Sequence, residues 1–201
     1  QEAADAPLCI DSPSMVAAEK GLALCKKKAM LNSVTAEKSR LKPTIEIIKK
    51  YNCNIVGLCM SDGGMPQNAD DRYKAAKTIV EEMTSSGIPV DDIYLDPVVE
   101  PISARPDAVF AVLETIKRVM SDFKGVHTIC GLSNVSFGLP QRKLLNQTFL
   151  VMCIAAGLDA VILDPMDARI MSNLHASLAL AGKDEFCLNY IEQSRENKLI
   201  V

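Results

Sequence analysis

The residues of this chain that could do chemistry are carboxylates and amides, and they recur in one kind of place. Asp11, Asn32, Asp96, Asn134 and Asp164 each close a short apolar run: PLCI, AML, IYL, HTICGLS and AVIL. No histidine, lysine or serine nucleophile stands with them. A carboxylate accepts two N–H bonds in one plane, as the edge of an amino-pyrimidine offers them. A carboxamide supplies one donor and one acceptor to a fused heterocycle. The set therefore suits a flat ligand with many N–H groups and little charge. An Asp or Asn after a strand also caps the following helix. For each residue taken singly, that reading stands beside the ligand reading.

The stretch GLSNVSFGLP, Gly131 to Pro140, is the most unusual of these places. An apolar run ends there in small hydroxyls and one amide, almost without charge. Asn134 is placed to face the heterocycle, and its small neighbours Ser133 and Ser136 leave room for a flat ring. Other chemistries find little support. The chain has no H-E-x-x-H, no G-x-S-x-G and no P-loop. Ser61-Asp62-Gly63-Gly64 reads as a turn, because Asp62 would repel a phosphate. His127 and His175 lie far apart, each without a second ligand at useful spacing, so the chain is expected to hold no metal of its own.

The bulk properties agree. A formal charge of −3 and an aromatic content of 4% argue against a nucleic-acid surface. No apolar run reaches the roughly 18 residues of a membrane span. The seven cysteines are odd in number and form no C-x-x-C pair. Cys9, Cys59 and Cys130 sit in apolar runs and read as small buried hydrophobes in a reducing cytoplasm.

The elements that must position these residues follow from hydrophobic periodicity. Strand-like runs lie at 7–11, 29–32, 54–60, 93–96, 127–132 and 160–164. Helical spacing marks Pro43 to Tyr51, Asp70 to Ser86 and Asp107 to Phe123, then roughly 142–157, 167–181 and 184–197. Repeated strand–helix units require a parallel sheet. The expected fold is α/β: a (β/α)8 TIM-type barrel, present as an N-terminally truncated portion with about six units, since a barrel needs eight. Residues 1–201 are expected to form one domain. A doubly wound open sheet is the alternative, although no glycine-rich fingerprint follows the first strand.

The motifs CIDSP (9–13), MLNS (30–33), LDP (95–97), GLSNVSFGLPQR (131–142) and LVMCIAAGLDAVILDP (150–165) resemble those of the methyltetrahydrofolate:corrinoid protein methyltransferases. These belong to the wider pterin-binding group that includes dihydropteroate synthase. The resemblance runs from Pro7 to the C-terminus. It implies a (β/α)8 barrel of which this chain would hold the third to eighth strands. It implies that Asp11, Asn32 and Asp96 bind the pterin edge, that Asn134 reaches N5 and is catalytic, and that Arg142 lies near the folate. Phe137 departs from the family pattern, which has a glutamine there in some members. The implied substrate is methyltetrahydrofolate, with a corrinoid carried by a partner protein, because no D-x-H-x-x-G element is present. A homodimer is expected. A non-catalytic pterin-binding scaffold and a dihydropteroate synthase-like enzyme remain as alternatives. A barrel aldolase or isomerase would want a lysine or glutamate at a strand end, and none stands there.

Overall fold

The computed structural model describes residues 5–200. Six strands alternate with helices: β1 (Cys9–Asp11), β2 (Met30–Thr35), β3 (Asn54–Leu58), β4 (Ile93–Asp96), β5 (His127–Gly131) and β6 (Ala160–Ile162). They form one open, curled sheet in the order β1 to β6, every pairing parallel. A doubly wound sheet reverses its strand order at a switch point. This order never reverses, so the doubly wound alternative fails and the architecture is that of a (β/α)8-type barrel with about six of its units.

The helices are α1 (Met15–Ala23), α2 (Lys38–Tyr51), α3 (Ala69–Ser85), α4 (Ala108–Asp122), α5 (Arg142–Ala156), α6 (Ala168–Leu180) and α7 (Leu188–Arg195). They pack on one face of the sheet, because every right-handed crossover advances the strand order in the same direction. Leu31, Ile55, Ile93 and Leu95 turn outward and share a buried cluster with Ile45 and Ile48 of α2 and Ile79 and Met83 of α3. Cys130 does the same with Ile116 of α4 and Leu150 and Ile154 of α5. Gly57 faces α3 so closely that a Cβ there would sit 2.9 Å from Ile79 Cγ2. The alternate strand residues, among them Asp11, Asn32, Leu58 and Asp96, line the other, concave face.

Three local differences from the sequence reading have simple causes. Helix α1 escaped the periodicity because only Ala18 and Leu22 are buried along its nine residues. The expected helix over 184–197 starts late, at Leu188. Phe186 and Cys187 have positive φ, and the Asp184 carboxylate accepts from the Asn189 and Tyr190 backbone N–H groups. Cys59 and Cys130 are buried as expected, but Cys9 is exposed, since β1 is an edge strand among the described residues.

Candidate pterin site

The helix-cap explanation of the strand-end residues fails on inspection of the caps. Helix α1 is capped by Ser14, α3 by Asn68 and α6 by Asp167, while the caps of α2 and α4 are Glu37 and Asp107. None of Asp11, Asn32 or Asp96 serves there. Asp11 and Asn32 are register partners on β1 and β2. Partners in a parallel pair present their side chains to one face, about 4.8 Å apart. Asp11 is exposed and Asn32 half-buried, and neither side chain bonds to another group among the described residues. Beyond Asn32 the register slips before Val34, so Asn32 sits at the start of a bulge that interrupts the ladder.

Asp96 ends β4, with Leu58 as its partner on β3. Its carboxylate accepts the Val98 backbone N–H at 2.7 Å. Loss of solvation around the carboxyl pushes its pKa up to about 6, against the pull of that N–H. Val98 holds this position with φ of 60°, a backbone region that β-branched residues avoid.

Asn134 lies in a 3-10 segment, Leu132–Ser136, directly after β5. Its carbonyl accepts from the Phe137 N–H, but its exposed side chain bonds to nothing among the described residues. The loop beneath it is tied down by others. Ser136 is wholly buried, and its Oγ bonds to Asn146 Oδ1 at 2.7 Å. Arg142, the first residue of α5, donates from Nε to Ser136 Oγ at 3.1 Å and from Nη2 to the Ser133 carbonyl at 2.6 Å. Arg142 is thus a brace under the Asn134 loop, with its guanidinium 5.9 Å from the ring of the exposed Phe137. Ser136 belongs to that brace, whereas Ser133 beside Asn134 is exposed.

The loops after β4 and β5 are joined. Ile102 N–H donates to the Val135 carbonyl at 3.0 Å, and Ser103 Oγ to the Phe137 carbonyl at 3.0 Å. The loops that follow Asp96 and carry Asn134 are thus bonded to each other, while Asp11 and Asn32 lie at the ends of β1 and β2, across β3 from Asp96. Asp164, after β6, turns its carboxylate back to the Met166 N–H at 2.9 Å. Among the described residues no group of three or more His, Cys, Asp or Glu could hold a metal ion. No helix there is long and apolar enough to cross a membrane.

One group the sequence reading passed over is Arg72. It is fully buried and pairs with Glu100 at 2.6 Å. The signal was available: Arg72 stands three, four, seven and eight residues before Ala75, Ala76, Ile79 and Val80, all buried on α3. An arginine on the apolar stripe of an amphipathic helix must have buried acceptors waiting for it.

Comparison with known proteins bears on the family and the fold. A family model described as "Pterin binding enzyme" matches residues 1–164. Over 201 residues the chain is 30% identical to the methylcorrinoid:tetrahydrofolate methyltransferase of Eubacterium limosum, covering 99% of this chain and 74% of that protein. Over 169 residues it is 28% identical to the methionine synthase of Mycobacterium leprae (strain TN), covering 78% of this chain and 14% of that protein. In three dimensions it is similar to Yersinia pestis dihydropteroate synthase solved with a sulfonamide drug complex. There the TM-score is 0.67 at 12% identity, over 90% of this chain and 68% of that one. At such identity the structural likeness speaks for the fold alone. The sequence match extends over most of the chain, and with it the protein belongs to the pterin-binding enzyme family.

Proposed function

We infer that this protein is a methyltransferase that moves the N5-methyl group between methyltetrahydrofolate and the cobalt of a corrinoid protein. The observation that carries the reading is its identity, along nearly the whole chain, with the Eubacterium limosum enzyme. The rim supports it. Asp11, Asn32 and Asn134 have polar side chains that the described protein leaves without partners, and Asp96, half-buried, presents a desolvated carboxylate at the end of β4 on the same face of the sheet. A pterin fits such a set: its amino-pyrimidine edge donates N–H bonds that Asp96, Asp11 and Asn32 accept. Arg142, expected near the folate, also braces the loop that carries Asn134. The six strands correspond to the third to eighth of the family barrel.

The chemistry turns on the leaving group. A methyl on a tertiary amine leaves badly unless N5 gains a proton as the C–N bond breaks. The reduced cobalt of the partner's corrinoid supplies the electron pair that forms the new bond to carbon, and N5 keeps the pair it shared with the methyl. Asn134 is no acid in water. Its carboxamide oxygen can accept from protonated N5, an interaction stronger in the transition state than in the ground state, and hence catalytic. The proton comes from solvent or through a carboxylate and water. The enzyme works in the cytoplasm, in keeping with its seven free cysteines, as a homodimer that receives the corrinoid on a separate protein.

The test is direct. Purified protein mixed with methyltetrahydrofolate and reduced cobalamin should bleach the cobalt(I) absorbance and form methylcobalamin. A protein that binds methyltetrahydrofolate yet transfers nothing, either to free cobalamin or to a corrinoid protein, is the scaffold alternative instead.

A further inference from the structure

We propose that Arg72 of α3 is the positioning residue for Asp96: it clamps the Pro97–Val98 peptide so that the Val98 N–H points onto the Asp96 carboxylate. The inference rests on the reading of Asp96 as a pterin-binding residue. Its evidence is a chain of contacts through a single peptide plane. Arg72 Nε donates to the Pro97 carbonyl at 2.7 Å. The N–H of the same peptide unit belongs to Val98, and it donates to Asp96 Oδ1 at 2.7 Å. In a trans peptide the C=O and N–H point in opposite directions. Holding the oxygen from the α3 side therefore aims the hydrogen at Asp96. A cation on the carbonyl also polarises the unit and makes its N–H a better donor.

The rest of the guanidinium fork secures the same turn. Nη2 reaches the Val98 carbonyl at 3.4 Å and Glu100 Oε2 at 2.6 Å, and Nη1 the Asn68 carbonyl at 3.1 Å. With the Pro97 carbonyl, two of the four acceptors of Arg72 belong to the residues directly after Asp96. Val98, with φ of 60°, would leave this conformation if nothing held it. Glu100 is shared with Arg105 Nη1 at 3.0 Å, and Arg105 also donates to the Pro66 and Gln67 carbonyls. The network thus ties the loop after β3 to the loop after β4. A lysine at 72 would bring a point charge but no fork, and could not hold these acceptors together.

A pair serving stability alone would leave the Asp96 proton indifferent to Arg72, and that is the measurable difference. The titratable groups that feel the Asp96 charge are the Cys59 thiol just after β3 and the Cys130 thiol on β5, and Arg72 holds the turn that follows Asp96. Burial pushes the Cys59 thiol well up, and a hydrogen bond with Cys153 together with burial does so for Cys130. A guanidinium stays charged throughout. Of these four, only Asp96 changes charge between pH 5 and 8.

The experiment titrates the Asp96 carboxyl by carbon-13 NMR in wild type, Arg72→Lys and Arg72→Lys/Val98→Gly, and measures methyltetrahydrofolate affinity on the same samples. In Arg72→Lys the Asp96 midpoint should rise by about one pH unit, because a lowering hydrogen bond is lost. Affinity at neutral pH should fall about tenfold. Adding Val98→Gly removes the strain of positive φ and should recover a large part of both. If Arg72→Lys does not fold, Glu100→Ala, which removes the Nη2 acceptor, should shift both quantities in the same direction by about threefold in affinity. An Asp96 midpoint and an affinity unchanged in the folded variant, with only melting temperature lowered, would make Arg72 a structural ion pair and end the proposal. The titration needs no ligand. If wild type fails to bind methyltetrahydrofolate, the substrate reading falls while the role of Arg72 is still decided.

Discussion

The loops after β4 and β5 carry the two side chains with the most to do, and each loop is held by an arginine. The resemblance ends there. Arg72 is fully buried and holds the turn after Asp96, whereas Arg142 lies exposed at the start of α5 and holds the loop of Asn134. Asp96 is half-buried and already accepts a hydrogen bond from Val98. Asn134 is exposed, with its side chain unpaired among the described residues. The difference matches the two tasks. A carboxylate that must meet a donor edge gains from being fixed before the ligand arrives, since ordering it later costs affinity. An amide that must respond to charge developing at N5 gains from a fixed backbone and an uncommitted side chain. The two loops also bond to each other through Ile102 and Ser103, so a disturbance in one reaches the other.

The sharpest way to break this comparison is at Asn134. Asn134→Ala should lower single-turnover methyl transfer to cobalt(I) by about ten- to a thousandfold, the range for one preorganised group lost from a transition state. Methyltetrahydrofolate affinity should fall by less than the rate does. A melting temperature that drops while the rate per folded enzyme stays near wild type would return Asn134 to its loop.

Asp96→Asn should act on binding and on stability in opposite senses. The amide keeps an acceptor for Val98 but loses the charge, and affinity for methyltetrahydrofolate should fall roughly ten- to a hundredfold at neutral pH. In wild type, donors on the pterin favour the ionised carboxylate. Affinity should therefore rise with pH through about 6 and then level. That step should vanish in Asp96→Asn, and calorimetry at pH 5 and pH 7.5 checks both statements. Stability runs the other way. A native carboxyl that holds its proton more tightly than the unfolded chain stabilises the fold through that proton. The contribution is complete below the ordinary carboxylate range, about pH 4. It is lost as the pH rises through about 6. Above that pH the variant should melt higher than wild type, as expected where function keeps a costly group in place. A lower melting temperature at pH 7.5 would contradict the burial argument.

The smallest effect is expected at Arg142. Arg142→Ala removes the bonds to Ser133 and Ser136, but Ser136 keeps Asn146 and the arginine is exposed. Methyl transfer should slow by about two- to fivefold, with binding nearly unchanged. A loss as large as that of Asn134→Ala would place the guanidinium on the ligand itself and remove the contrast with Arg72.

Much of the molecule was legible in the sequence because its period-two and period-3.6 patterns are strong. All six strands lie within or beside their expected runs, and α3, α4, α5 and α6 begin and end within about two residues of the expected bounds. The strand-end residues Asp11, Asn32, Asp96 and Asn134 could be picked out because a parallel strand–helix repeat places its chemistry at one rim. Other properties could not be read from pattern. That Cys9 is exposed depends on β1 having a neighbour on one side only. That Arg142 braces a loop while Asn134 stays free depends on where α5 begins relative to the 3-10 segment before it. That Asp96 holds its proton to about 6 depends on how much water the packed rim excludes. The link from Arg72 to Asp96 crosses 24 positions (96 − 72) and passes through a backbone carbonyl and N–H. Side-chain identity encodes where a chain wants to bury its surface. Which backbone group a buried cation meets is decided only when the helix and the strand end are brought together.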